Sequence, residues 1–377
     1  MAHIRRHPGT GKWQVRYRDP TGRERSRTFA RKPDALAYKA VVEADKVRGQ
    51  WLDPALGRKT FGEWAELWSR TRIHLRPSTQ ASTDSLMRCH VLPWFGPVAV
   101  VTIQQADVQS FVSSLQATGL SRSTIRSAYL IVRGVMEVAL ENGALARNPC
   151  RRIKFPENRI AEIRFLTVEE LHGLTTAMRD PWKPMVLLGG YCGLRFSEVV
   201  GLRARHVDIL RRQIQISEAA VEVNGSIFLG PPKSQASRRT IAAPLFVAES
   251  LASHMKEHVP EPDQWLFRTS SDTPLGRSNW RIREWKPAVE RAGLQPLRFH
   301  DLRHTHAALL IAQGEHPKVI QSRLGHSSIR VTLDTYGHLF DGLDELAASR
   351  LDDLQNSLFA DRTRTDHVSD PAVISQI

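Results

Sequence analysis

Hydrophobic periodicity changes twice along these 377 residues, and that change restricts the fold more than any other feature. Between Trp13 and Phe29 the pattern alternates: Trp13, Val15 and Tyr17 interleave with Gln14, Arg16 and Arg18, the period of a half-buried strand. Asp19-Pro20-Thr21-Gly22 is a turn cluster from which Arg23 to Phe29 can return as a partner strand, and Lys32-Pro33-Asp34 opens a helical run to Arg48. From Thr60 the apolar spacing becomes three and four, and beyond Thr167 helical and strand-like runs mix. No single repeating architecture carries both periods. The expectation is therefore a multidomain chain: a small β-ribbon plus helix module over 1–56, an all-α bundle over 60–155, a mainly α (α+β) domain over 165–355, and a disordered tail over 356–377.

Local signals refine this division. Thr60-x-x-Glu63, Thr102-x-x-Gln105 and Thr167-x-x-Glu170 have the spacing of capping boxes. Ile125, Tyr129, Val132, Val135 or Met136, and Ala139 form one stripe of a long helix that should stop at Glu141-Asn142-Gly143. Residues 60–150 thus read as about four helices, with Arg76, Arg122 and Arg126 among Ser and Thr at the helix starts, where phosphate contacts and ordinary caps are both served. Arg151 to Arg164 lacks periodicity and reads as a linker. Ile214 to Ile216, Glu218 to Val223 and Ser226 to Leu229 read as strands, with Asn224-Gly225 as a hairpin turn.

Charge narrows the partners. The chain carries 53 Lys and Arg against 39 Asp and Glu, a formal charge of +14, which favours a polyanion because each neutralised phosphate releases a counterion. The excess is uneven: residues 1–55 hold 13 basic and 6 acidic side chains, and residues 341–377 hold 3 basic and 8 acidic. A ribbon bearing Arg16, Arg18, Arg23, Arg25 and Arg27 is either a reader of the DNA major groove or a solvated hairpin face. The longest apolar stretches fall short of the roughly 20 residues that span a bilayer, so no membrane partner is expected. Three cysteines without paired spacing argue against a disulfide scaffold and for a cytoplasmic setting.

Four segments in the second half carry chemistry: Gly193-Leu194-Arg195-Phe196-Ser197-Glu198; Lys233-Ser234 ahead of Arg238-Arg239-Thr240-Ile241; Phe299-His300-Asp301-Leu302-Arg303-His304; and Leu324-Gly325-His326 followed ten residues on by Tyr336. Glu198 can hold Arg195 by an i,i+3 contact, and His300 and Arg303 share a helix face. Singly each is weak; as the ordered set Arg, Lys, His-x-x-Arg, His, Tyr they are not. Through GLRFSE (193–198), HDLRHTHA (300–307) and RLGHSSIRVTLDTYGHL (323–339) the chain resembles the tyrosine recombinases, specifically the phage-type integrases, along essentially its whole length. The basic module is similar to their arm-site DNA-binding domain, residues 60–155 to their core-site domain, and 165–355 to their catalytic domain.

The resemblance implies a site-specific DNA recombinase in which Tyr336 attacks the scissile phosphate to give a 3′-phosphotyrosyl enzyme and a free 5′-hydroxyl. It implies that Arg195 and Arg303 grip the phosphate, His300 accepts the tyrosine proton, Lys233 protonates the leaving oxygen and His326 donates a further hydrogen bond, with Glu198 supporting Arg195. Neither metal nor other cofactor is expected, since the covalent ester stores the bond energy. Partners would be double-stranded DNA with core and arm sites, four protomers per synapse, a DNA-bending host factor and an excision factor. The residue types suit this chemistry independently. A phenol with pKa about 10 is about one part in a thousand ionised at neutral pH and needs cations and a base, and guanidiniums donate paired hydrogen bonds to phosphate.

Other readings remain. Lys183 and Lys286 compete with Lys233. A chromosome-dimer resolvase of the Xer type would share the catalytic set, though such enzymes usually lack an arm module; a type IB topoisomerase would share the chemistry but not the three-part organisation. A non-catalytic DNA-binding regulator leaves the ordered set unexplained. His300-Asp301-x-x-His304 approaches a zinc-protease motif, with a shorter acid, a cation beside the would-be metal and only His306 to spare as third ligand.

Overall fold

A computed structural model describes residues 2–19, 22–47, 53–157, 163–232 and 235–340, and within 345–356 all but residues 346 and 354. The chain divides into two compact units, residues 1–160 and 161–377. Each has its own cores.

The first unit opens with three antiparallel strands, β1 (His3–Arg6), β2 (Trp13–Arg18) and β3 (Glu24–Phe29), in the order β1-β2-β3. Helix α1 (Lys32–Val47) packs on one face. The expected ribbon thus gains a third strand, hidden in sequence because His3-Ile4-Arg5-Arg6 has a single apolar residue. Alternation sends Val15 and Tyr17 inward with Trp13, Ile4 and Phe29, against Ala35, Tyr38 and Val42. The register decides which arginines are available. Arg16 pairs with His3 and Ser26, and Arg18 with Glu24, so Arg16 and Arg18 lie on the face away from α1. Arg25 and Arg27 pair with Tyr17 and Val15 and take the helix side. Arg25 is bound by Asp19 and Asp53, and Arg27 lies over the Phe29 and Tyr38 rings. Arg23 sits exposed just before β3.

The same unit continues with α2 (Phe61–Arg70), α3 (Pro77–Leu86), α4 (Gln105–Ala117) and α5 (Arg122–Glu141), the four helices of ten or more residues among the described residues of 60–150. Thr60 and Glu63 cap α2 reciprocally. The box expected at Thr102 and Gln105 falls two residues later, where Asp107 accepts the Gln104 amide at 2.8 Å, while the Thr102 hydroxyl donates to Ala99. The stripe from Ile125 to Ala139 is buried as its spacing predicts, and the chain leaves α5 through Gly143 at φ +75°. Arg76 and Arg126 are exposed, and Arg122 is half-buried. The linker is shorter than expected: Tyr129 donates to the Cys150 carbonyl, Lys154 exchanges two hydrogen bonds with Gln109, and Phe155 packs edge-on to Tyr129.

The second unit is helix-rich with little sheet. Its helices include α6 (Val168–Ala177), α7 (Lys183–Cys192), the short α8 (Phe196–Val200), α9 (Leu245–His258), α10 (Phe299–Ala312), α11 (Pro317–Leu324) and α12 (Ile329–Tyr336). Strands β4 (Val207–Asp208), β5 (Gln213–Ile216) and β8 (Arg239–Ala242) form one sheet, and β6 (Ala219–Val223) and β7 (Ser226–Gly230) a hairpin. Asn224 and Gly225 turn that hairpin with φ of 50° and 80°, as the Asn-Gly signal requires. Thr167 and Glu170 form the expected box. No helix among the described residues is long and apolar enough to cross a membrane. Beyond α12, Arg350 donates to the Gln313 carbonyl at the end of α10. Most of the expected tail lies outside the described residues, as does Lys233.

Candidate active site

Helix α7 ends at Gly193, whose φ of +68° reverses the chain. A Cβ there would lie 2.6 Å from His306 Cδ2, so glycine is needed for both backbone and space. The reversal sets Arg195 at the head of α8. Glu198, three residues on, accepts the Arg195 amide at 3.0 Å and its guanidinium at 2.7 Å. The expected contact is thus present, and the Arg195 side chain keeps 32% exposure. Glu198 is itself buried and is gripped from the other side by Arg239, whose Nη1 and Nη2 donate to Oε1 and Oε2 at 3.1 and 3.0 Å. Burial alone would push the Glu198 carboxyl up; the Arg239 and Arg195 guanidiniums outweigh it and hold it below the usual carboxylate range.

Arg303, on α10, is 2% exposed. It donates to the Gly193 carbonyl at 2.6 Å and to the Leu324 carbonyl. One guanidinium therefore ties together the residue two before Arg195 and the residue two before His326. Burial, then the neighbouring Arg195 cation, lowers Arg303 to about 9, which leaves it charged at neutral pH. Gly325, at φ +64°, ends α11 and releases the chain to His326. The ring of His326 is oriented through Nδ1, 2.9 Å from the buried Thr332 hydroxyl. Burial and then Arg303 and Arg195 depress His326 to about 4, so it is neutral.

Tyr336 closes α12 and is 1% exposed, with its hydroxyl 2.8 Å from His304 Nδ1. Burial lifts the phenol to about 12, against the pull of Arg303 and Arg195. His300 lies one turn before His304 on α10, the two rings 4.9 Å apart and edge to face. His300 is depressed to about 4, by desolvation on its protein side and then by His304, Arg303 and Arg195; its exposed edge lets water moderate that shift. The structure thus gathers Arg195, Glu198, His300, Arg303, His326 and Tyr336, all sequence-predicted, into one electrostatic neighbourhood. His304 rather than His300 contacts the phenol in this conformation.

Four further residues were not singled out in the sequence as parts of this centre: His304 on Tyr336, Arg239 on Glu198, Thr332 on His326, and buried His306, which receives the Arg323 Nε–H at 3.3 Å. His304 left a signal of spacing, four residues after His300 on the same helix face, whereas Arg239, His306 and Thr332 lie within the quoted segments without a spacing that points to their partners. Asp301, the acid of the metalloprotease reading, is engaged in capping α10 through the Arg298 amide and guanidinium. An open cleft of about 780 Å³ between the ends of β5, β7 and β8 reaches this centre only at Arg239, and its Arg203 and Arg205 are paired with Glu218 and Asp263.

Two guanidiniums and neutral histidines around a buried phenol at a helix end, in a helix-rich unit preceded by a helical bundle, define a tyrosine recombinase, an enzyme that breaks and rejoins DNA. The chain belongs to the phage integrase family and is a site-specific integrase. The family profile described as phage integrase family matches residues 164–342, and that of the phage integrase N-terminal SAM-like domain matches residues 60–116. The prophage phiRv2 integrase of Mycobacterium tuberculosis is 30% identical over 356 residues, covering 92% of this chain and 93% of that protein. The ICEBs1 integrase of Bacillus subtilis is 26% identical, covering 89% and 95%. Among solved structures, the Tn1549 transposon integrase in complex with a circular intermediate DNA superposes with a TM-score of 0.67 at 20% identity, covering 78% of this chain and 99% of that one. A lambda integrase dimer bound to a COC′ core site gives 0.58 at 15%, covering 90% and 94%.

Proposed function

We propose that Tyr336 is the nucleophile and that the chain integrates and excises its element by two transesterifications. The phenolic oxygen attacks the scissile phosphorus, the phosphorus–5′-oxygen bond breaks, and the 3′-phosphate becomes esterified to Tyr336. The released 5′-hydroxyl of another strand then attacks that ester and restores the phenol. The observation that carries this reading is that the Tyr336 hydroxyl bonds His304, the residue next to Arg303 on α10, while Arg303 itself bonds the Gly193 carbonyl two residues before Arg195. Each attack raises negative charge on the non-bridging oxygens, where two guanidiniums are worth most.

At rest the phenol is protonated, buried and bonded to His304, so DNA cannot reach it. In-line attack needs the oxygen about 3–3.5 Å from phosphorus. Tyr336 therefore leaves His304 when a phosphate enters between Arg195 and Arg303, and its proton passes to His300, which is exposed and lies one turn from His304 on α10. His326 donates to a non-bridging oxygen. Lys233 is assigned to the leaving 5′-oxygen on its place in the sequence alone.

Residues 60–155 are assigned to the core site, with Arg76, Arg122 and Arg126 on phosphates. The outer face of the three-stranded sheet, bearing Arg16 and Arg18, is assigned to arm-type sites, with Arg23 beside it; Arg25 and Arg27 are assigned to packing the module. A tetramer on the joined duplexes is the assembly this chemistry implies, as seen for the lambda integrase tetramer bound to a Holliday junction; a DNA-bending host factor and an excision factor would act on the same complex. The setting is the bacterial cytoplasm.

The test is a nicked duplex carrying the end sequences of the genomic segment that encodes the chain. Wild type should become covalently linked to it and Tyr336→Phe should bind without linking. Linkage by Tyr336→Phe would overturn the assignment.

A further inference from the structure

We infer that Arg239 is a positioning residue of the cleavage reaction, setting Arg195 and His326 together. The inference rests on the phosphotyrosyl reading above. Arg239 begins β8, and strand alternation turns it inward with Ile241 while Thr240 faces water. Its side chain is 6% exposed. Besides its paired bonds to Glu198, Nε donates to the Arg323 carbonyl at 2.6 Å and Nη1 to the Ser237 carbonyl at 3.0 Å. Four of the five donors of the guanidinium fork are thereby engaged. One partner is the carboxylate that orients Arg195; another is the backbone three residues before His326. The approach also depends on Gly325, since a Cβ there would stand 2.9 Å from Arg239 Nη1.

Charge supplies the second argument. A carboxylate paired with Arg195 alone would cancel the positive charge that the phosphate needs. Arg239 takes up the Glu198 charge from the far side, so Arg195, Arg239 and Arg303 together outnumber Glu198 by two. A phosphodiester passes from one negative charge to two as it is attacked, and the centre carries that surplus. Arg239 never touches the phosphate in this account; it acts through Glu198 and through the turn before His326. A residue that only stabilised the fold would alter the fraction of folded protein, not the cleavage rate of DNA-bound protein.

The test uses full-length chain at saturating concentration on the nicked duplex described above. Single-turnover adduct formation, DNA affinity by mobility shift and the thermal unfolding midpoint are read for each variant. Arg239→Met should bind DNA within about threefold of wild type yet form adduct about 100-fold more slowly, the size of a misplacement of about 1 Å at the reacting groups. Arg239→Lys keeps the charge but not the fork, and should recover about tenfold of that loss. Because Arg239 acts in part through Glu198, the double variant Arg239→Met with Glu198→Gln should lose less than the product of the two single losses. Losses that multiply in the double variant, or a folded Arg239→Lys that cleaves at the wild-type rate, would overturn the inference. If Arg239→Met loses its unfolding transition, Arg239→Lys decides by itself. Adduct formation by Tyr336→Phe is a different failure, striking the nucleophile assignment on which this inference stands.

Discussion

The Tyr336 hydroxyl and His304 Nδ1 stand 2.8 Å apart, joining the last residue of α12 to the middle of α10. The contact holds the phenol protonated against a neutral imidazole, because burial raises Tyr336 to about 12 and lowers His304. The resting centre is therefore set against spontaneous ionisation.

His304 and His300 are consequently expected to differ. If His304 holds the phenol at rest and His300 takes its proton during attack, His300→Leu slows single-turnover cleavage about 100-fold or more, the range of a lost general base. His304→Leu should then slow it less than about tenfold in the same assay. The opposite ranking would assign the proton to His304.

Arg303→Lys tests the phosphate grip and the scaffold together. Lysine cannot bond the Gly193 and Leu324 carbonyls in the same fork, and each buried carbonyl left unpaired costs about 1–3 kcal/mol. Cleavage should fall by about 100-fold or more, with a lowered urea midpoint. Wild-type stability in this variant would contradict the scaffold role.

Gly193→Ala should be destabilising by about 2–4 kcal/mol, adding left-handed backbone strain to the clash with His306. Gly225→Ala, at φ +80° in open space, provides the comparison, since it meets strain alone. Equal urea midpoints for the two variants would contradict the His306 contact.

Acid should unfold the second unit early. His306 is depressed to about 3 and His326 to about 4, against about 6.5 in the unfolded chain. Above pH 6.5 both are neutral folded or unfolded. Between pH 6.5 and about 4 the unfolded chain binds protons that the folded chain refuses, so stability falls with pH, by at most about 1.4 kcal/mol per unit for each histidine. Urea midpoints at pH 7.5 and pH 5 check this, and His306→Gln should flatten the difference. A midpoint that holds or rises on acidification would contradict it.

What the sequence revealed was local. His300 with Arg303, Arg195 with Glu198, the Asn224-Gly225 turn and the stripe from Ile125 to Ala139 all lie within one or a few turns of chain, where spacing maps onto geometry. Contacts between distant segments left no such mark: Arg239 meets Glu198 across 41 residues and Tyr336 meets His304 across 32. Arg25 and Arg27 were grouped with Arg16 and Arg18 because period-2 alternation says which residues share a face only once the register is known, and the Val15 to Arg27 pairing puts them on the helix side. The Thr102 box yielded to Gln104 and Asp107 because the turn of Val100–Thr102 comes first and engages the Thr102 hydroxyl.

The most direct measurement is identification of the residue covalently bound to DNA. Wild-type protein trapped on the nicked duplex, digested and sequenced by mass spectrometry, should yield one nucleotide-bearing peptide, with the phosphate on Tyr336. A phosphate carried by any other residue, or an adduct that persists in Tyr336→Phe, would contradict the account.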